Sequence, residues 1–213
     1  MIPMIVNFNS PPPIGRLWVG VDPGFQGAIG IIDSYGKYVA CVDMPVVGAS
    51  GRKQEFNVPL LCSIVRNLSQ WKIERVVVEF PATRPGEAPE SAKRFGVGLG
   101  LLWGIFAANG LPIERVAPNK WKGRLGLIGK AGQAQASKLQ AVEMAERFIR
   151  DIPVGLLRGP RGGLKDGRAE AFLIAWEALT CSADGLRKQP KDVRLARMLF
   201  GSKRRRSRGE NAL

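Results

Sequence analysis

The sequence predicts an α/β fold, a mixed five-stranded sheet with helices on both faces, and three observations carry that expectation. Apolar runs rich in β-branched residues occur at about 16–22, 27–33 and 37–43, again around Arg75–Glu79, and at 112–117, each of strand length. Between and after the later runs, apolar residues switch to helical spacing, as in Leu60, Leu61, Ile64, Val65 and Leu68. The first three runs are joined only by the tight turns Pro23-Gly24 and Tyr35-Gly36, so they form an antiparallel meander. The later strands are separated by helix-length crossovers, which places the first and fourth strands side by side and parallel, near a topological switch point.

Taken in order, residues 1–14 read as a flexible arm ending in the Pro11-Pro12-Pro13 spacer. One domain spans 15–185, and 186–213 holds a short helix at 190–200 and a polybasic tail. Residues 44–57 read as a polar Gly/Pro loop, and a helix is expected at 58–71. A second helix is expected at 91–109, with Gly96, Gly100 and Gly104 at four-residue spacing. Glycine in a helix interior costs about 1 kcal/mol against alanine. The compensation is close approach, either to the sheet beneath or to a second copy across a twofold axis. A short helix begins near Pro118. Another covers 133–150, with Leu139, Val142, Ala145 and Phe148 on one side, and a last one runs from Asp166 to Ala183 after a Gly/Arg-rich loop at 155–168.

The chain has 213 residues and a formal net charge of +14, which predicts a polyanionic partner, nucleic acid above all. Five basic residues and Glu210 within 201–213 account for +4 of that, leaving +10 on the rest. The domain itself is therefore basic. There is no histidine, which excludes imidazole bases, His-containing triads and His-ligated zinc. Cys41, Cys62 and Cys181 are scattered among apolar neighbours and read as buried, reduced thiols of a cytoplasmic protein. No signal peptide is expected, and the longest apolar stretch, 97–108, is too short to span a bilayer. Gly129-Lys130-Ala131 lacks the upstream glycine and following Ser/Thr of a P-loop, so no nucleotide cofactor is expected.

Four acids form the candidate catalytic and metal-binding set. Asp22 closes an apolar strand just before Pro23-Gly24, and Glu79 closes another just before Phe80-Pro81. A charge in such a strand is costly unless something compensates it. For Asp22 the ordinary alternative is an acid accepting turn N–H groups; Asp33 and Asp43 are read as turn acids of that kind. Asp166 and Glu170 stand one helical turn apart, about 5–6 Å on a shared face, where like charges repel. Two strand-end acids and an acidic pair on a helix supply the hard oxygen donors that two divalent cations need for phosphoryl chemistry.

The ordered set Val19-Gly20-Val21-Asp22-Pro23-Gly24, Val78-Glu79-Phe80-Pro81, Val116-Ala117-Pro118 through Trp121-Lys122, and Asp166-Gly167-Arg168-Ala169-Glu170-Ala171 resembles the RuvC-type Holliday junction resolvases of the RNase H-like nuclease superfamily. The resemblance is nearer to phage and chloroplast members than to the standard bacterial enzyme. It implies a homodimeric endonuclease that cuts a four-way DNA junction with paired symmetric nicks. Asp22, Glu79, Asp166 and Glu170 would hold two Mg²⁺ ions per site, with Mn²⁺ able to substitute. Lys122 and Lys138 match the family's phosphate-contacting lysines. Such an enzyme works at the nucleoid, in the cytoplasm of a phage-infected host, or in an organelle. Two departures stand out: the quartet ends in Glu170 rather than Asp, and the spacing of the last pair is four residues rather than three, with Gly167 where the family places an acid.

Further nucleic-acid contacts are expected from Lys120 beside Trp121, from Phe80, and from Arg158, Arg161, Lys165 and Arg168, which crowd the loop before the last acids. Trp121 itself is either a base-stacking residue or a half-buried anchor, and Phe25 and Phe80 are candidate wedges beside the acids. Two alternatives to junction resolution remain open. One keeps the nuclease and changes the substrate to a flap, hybrid or single strand; the other is a catalytically inactive DNA-binding protein.

Overall fold

The computed structural model describes residues 12–48, 54–82, 86, 88–127 and 134–181. The expected N-terminal arm up to residue 11, the helix at 190–200 and the basic tail lie outside the described residues. Among the described residues, seven strands and five helices follow one another as β1 (Leu17–Val21), β2 (Ala28–Asp33), β3 (Tyr38–Asp43), β4 (Val46–Val47), β5 (Glu55–Phe56), α1 (Val58–Leu68), β6 (Ile73–Glu79), α2 (Pro89–Ala108), β7 (Ile113–Val116), α3 (Pro118–Leu125), α4 (Ala134–Phe148) and α5 (Asp166–Cys181). The main sheet is five-stranded, in the order β3-β2-β1-β6-β7. β1 pairs antiparallel with β2 and parallel with β6, and β6 pairs parallel with β7. The mixed sheet expected from the turn signals is therefore present, with β1 and β6 adjacent.

Strand parity divides the interior into two cores. Leu17, Val19, Val21, Val76 and Val78 face one core with α1 and α2, while Trp18 and Val77 face the other with α3, α4 and α5. The same two-residue period carries past the strand ends. Asp22 follows the parity of Trp18 and Gly20, and Glu79 that of Val77, so both acids are directed to the α5 face. They stand one step beyond the paired residues Val21 and Val78. Sequence period and sheet register thus bring two acids 57 positions apart to the same edge.

α5 is apolar on nearly all sides and is buried from Gly167 to Thr180 except at the half-buried Glu170, as befits a central helix. It lies close on β1 and β2 because glycines remove the side chains between them. A Cβ at Gly20 would stand 2.0 Å from the Ala171 carbonyl oxygen, and one at Gly30 would stand 2.9 Å from the Phe172 nitrogen. At the helix start, a Cβ at Gly167 would come 2.2 Å from the Gln26 carbonyl oxygen.

Several expectations need correction. The loop at 44–57 contains the β4–β5 hairpin, whose two-residue strands are too short to show a period. α1 ends at Leu68, earlier than expected, where Ser69 caps it, and α2 starts earlier, at Pro89, which fits the first helical turn. In α4 the buried stripe is Ala141, Val142 and Ala145; Leu139 is exposed. The glycines of α2 do not pack on the sheet. A Cβ at Gly96, Gly100 or Gly104 meets nothing within 4 Å, because the sheet-facing stripe is Leu99, Leu102, Ile105 and Phe106. Of the cysteines only Cys41 is buried; Cys62 is partly so and Cys181 is exposed.

Candidate active site

The site is assembled from the ends of β1 and β6, the start of α5, and lysines from α3 and α4. Asp22 begins the Pro23-Gly24 turn, and its Oδ1 accepts the Gly24 N–H at 3.1 Å. The turn reading of this acid is thus satisfied in part. The turn is also tight around it, since a Cβ at Gly27 would stand 2.8 Å from the Asp22 carboxyl carbon. Burial pushes the Asp22 carboxyl up to about 7, against the Gly24 hydrogen bond, with the negative charges of Glu170 and Glu79 adding to the rise and Lys122 opposing it. That dependence on three named neighbours puts Asp22, Glu79, Glu170 and Lys122 within one another's electrostatic reach.

Glu79 is 8% exposed. Its Oε1 accepts the Trp121 indole N–H at 2.9 Å, and Lys122 Nζ lies 3.9 Å from the same oxygen. Lys122 reaches Glu170 more closely, at 2.8 Å, so one ammonium spans an acid of the sheet and an acid of the helix. One turn earlier on α5, Asp166 pairs with Lys138 of α4 at 2.7 Å. This pair raises the Lys138 ammonium above its usual range, and Glu170 and Asp22 contribute at longer range. Among the described residues, no three acids or thiols stand close enough together to hold a metal ion. Lys122 bridges Glu79 and Glu170, Lys138 holds Asp166, and Asp22 is held by the Gly24 N–H.

The other expected contacts divide. Lys120 is exposed at the start of α3, and Arg161 and Lys165 are exposed in the loop before α5. Arg158 is partly exposed, and its Nε and Nη2 are both taken by Glu146 at 2.9 Å. Arg168 does not belong to this surface. It is 8% exposed and its fork grips Asp43 at 2.5 and 2.6 Å, while Nη1 donates to the Leu156 carbonyl. Position 168 faces the core on α5, so its charge is used to tie β3 to that helix. Asp43 is correspondingly an ion-pair partner rather than a turn acid, whereas Asp33 does accept the Tyr35 and Lys37 N–H groups. Phe80 is 36% exposed, with the Arg115 guanidinium 5.1 Å from its ring and that same group 4.9 Å from Trp103.

Sequence reasoning missed the part played by Trp121. It is fully buried, which excludes base stacking, and it fixes Glu79 through its N–H. The available signal was a large aromatic between two lysines on a short polar helix, since a buried indole needs an acceptor. The Lys122 bridge was missed as well, because it depends on how α3 lies against α5.

Among solved structures, the chain is similar to Thermus thermophilus RuvC in complex with Holliday junction substrate, with a TM-score of 0.51 and 18% identity over 76% of this chain and 91% of that one. The fold is RuvC-like. A second structure of Thermus thermophilus RuvC aligns at 19% identity with a TM-score of 0.44, over 76% of this chain and 92% of that one. No family model and no curated protein matches the sequence. The expected RNase H-like α/β architecture therefore describes this molecule.

Proposed function

We propose that this protein is a divalent-metal-dependent endonuclease acting on branched DNA, with the four-way junction as its substrate and paired symmetric nicks as its product. The observation that carries the reading is the placement of Glu79 and Glu170 around Lys122, at 3.9 and 2.8 Å, with Asp22 in electrostatic reach of all three, in a chain of net charge +14. A basic, DNA-seeking surface that concentrates acids at one point is arranged for cations rather than for phosphates alone.

The donor set suits Mg²⁺ or Mn²⁺, since Asp22, Glu79, Asp166 and Glu170 offer only hard oxygens and the chain has no histidine. Bound there, two such ions supply an activated water and stabilise the departing 3′ oxygen. The chain's own residues do the positioning. Trp121 keeps Glu79 in one orientation, Gly24 does the same for Asp22, and the glycine-seated α5 fixes Glu170 relative to both. Lys122 and Lys138 supply positive charge to the phosphates, as Lys120, Arg161 and Lys165 do farther out. The phage and chloroplast branch of the resolvases is part of this proposal, with Glu170 and Gly167 as departures from the family's pattern. The glycine side of α2, with Val97 66% exposed beside it, supports a homodimer, which a Gly100→Arg substitution should split in sedimentation.

A panel of four-way junctions, flaps, hybrids, single strands and duplexes, each with Mg²⁺, tests the reading. Paired nicks confined to the junction are expected; cutting of another member only would reassign the substrate. The ion pairs Lys122–Glu170 and Lys138–Asp166 favour one rival, in which the lysines neutralise the acids and the protein binds DNA without cutting. Binding with no cleavage in either Mg²⁺ or Mn²⁺ would establish that rival.

A further inference from the structure

Beside Asp22 lies a cleft that the acids do not use. Its volume is about 260 Å³, and Pro23, Phe25, Phe56, Ser91, Arg94 and Phe95 line it. Pro23 and Phe25 belong to the turn that holds the carboxylate, whose Oδ1 accepts the Gly24 N–H. The three phenylalanines come from separate segments: the turn after β1, strand β5 and helix α2. All three rings are only partly buried, and Phe56 and Phe95 rest with one side against the core beneath α1 and α2.

The walls are held in place. A Cβ at Gly98 would come 2.5 Å from Phe56 Cε2, so the bare glycine on α2 is the seat of that ring. Phe56 in turn meets Phe25 at 5.0 Å between centroids and a tilt of 56°. The Arg94 guanidinium lies 5.7 Å from the centre of the Phe25 ring, and its Nη2 donates to the Gln54 carbonyl at 2.9 Å. An exposed cation therefore stands at the mouth of an aromatic slot.

Aromatic faces with an adjacent arginine are the usual means of holding an unstacked base without reading its sequence. The volume lies just under the range of about 300–1,000 Å³ typical of small-molecule pockets, which suits one flat ring system and not a whole nucleotide. We propose that this cleft receives one unpaired nucleobase of the DNA, next to the phosphate addressed by Asp22, with Arg94 facing the adjoining backbone. This rests on the nuclease reading above and adds a requirement to it: the substrate must present an unstacked base near the cut. Next to a branch point the continuous stack is interrupted, so a base is extruded there at lower cost than within unbroken duplex.

The experiment uses the full chain with branched DNA carrying 5-iododeoxyuridine at single positions across the branch, in Ca²⁺ so that the strands stay intact, followed by irradiation and mass spectrometry. Crosslinks to Phe25, Phe56 or Phe95 from positions at the branch are expected. Phe25→Leu and Phe95→Leu should weaken binding of branched DNA by roughly five- to a hundredfold, the scale for losing one stacked base, with little change on duplex. Phe25→Tyr should restore it. If wild type cuts branched DNA but crosslinks only outside the cleft, or if both leucine variants lose duplex and branched binding equally, the cleft has no base and the nuclease stands. If wild type neither binds nor cuts branched DNA, both readings fall together. Should a leucine variant not fold, the wild-type crosslinks decide.

Discussion

α5 carries acids toward both ends, and the two ends are treated differently. Toward its C-terminus, Glu177 is 4% exposed, is met by the Arg124 guanidinium, accepts from the Cys181 thiol and has Arg75 within electrostatic reach. Toward its N-terminus, Asp166 and Glu170 join Asp22 and Glu79, and the two lysines in direct contact leave negative charge in excess. The first arrangement is balanced and needs nothing more. The second leaves Asp22 short of compensation, with a carboxyl pushed up to about 7. A buried acid with a matched partner serves the fold, while a cluster whose own charges disfavour ionisation is an affinity for cations waiting to be used.

The contrast can be tested first at its strongest point. Asp22→Asn should lower nicking of junction DNA by roughly three orders of magnitude or more, as when one member of a group acting together is removed. Junction affinity in a gel-shift titration should be kept or improved. An equal loss of cleavage in Glu177→Gln, with its fold intact, would erase the distinction between the two ends. Next comes Arg168→Ala, which should cost about 2–4 kcal/mol in chemical denaturation by leaving Asp43 and the Leu156 carbonyl without their partner. It should not change the salt dependence of DNA binding.

A third test concerns the seat of the acid-rich end. Gly167→Ala should destabilise by about 1–3 kcal/mol through overpacking, since its Cβ would meet the Gln26 carbonyl at 2.2 Å. Gly167→Asp should fail to rescue Asp166→Ala for the same reason. The pH dependence follows from the raised Asp22 carboxyl. Between an unfolded value near 3.8 and the folded value of about 7, the native state holds the extra proton. Native stability therefore falls as pH rises through that window. Without metal, Asp22→Asn should be more stable than wild type in chemical denaturation at pH 8, by on the order of 4 kcal/mol, and the difference should shrink to almost nothing near pH 4. The smallest effects belong to the rim. Arg161→Ala and Lys165→Ala should each reduce the slope of log affinity against log salt by about one.

Much of the architecture could be read in the sequence because it depends on period and punctuation. Apolar runs around Trp18 and Val77, together with the turns at Pro23-Gly24 and Tyr35-Gly36 and the helix-length crossover before the fourth run, are enough to order β1, β2, β3 and β6. The acids at the strand ends were visible for the same reason, each being the single charge closing an apolar run. What escaped depends on contacts between distant segments. Arg168 reads as a surface base at the start of the helix expected from Asp166 until the packing of α5 on the sheet turns it onto Asp43. Gly96, Gly100 and Gly104 read equally as packing on the sheet or on a second copy until the phase of α2 is fixed by Leu99, Leu102 and Phe106, which removes the sheet. Trp121 looks like an aromatic between charges until the end of β6 is placed over it. Gly167 is the instructive case: it looked like a missing acid, whereas the Gln26 carbonyl leaves no room there for any side chain.

The close seating of α5 on β1 and β2 has one more implication. With backbone against backbone at Gly20, Gly30 and Gly167, that helix has no slack to slide or roll, so the carboxylates form a fixed anvil. Only the ammonium groups on α3 and α4, each at the end of a long flexible stem, are free to swing away. Admission of a guest cation would then be a trade of one positive charge for another. Its speed would be set by side-chain motion, with the fold standing still.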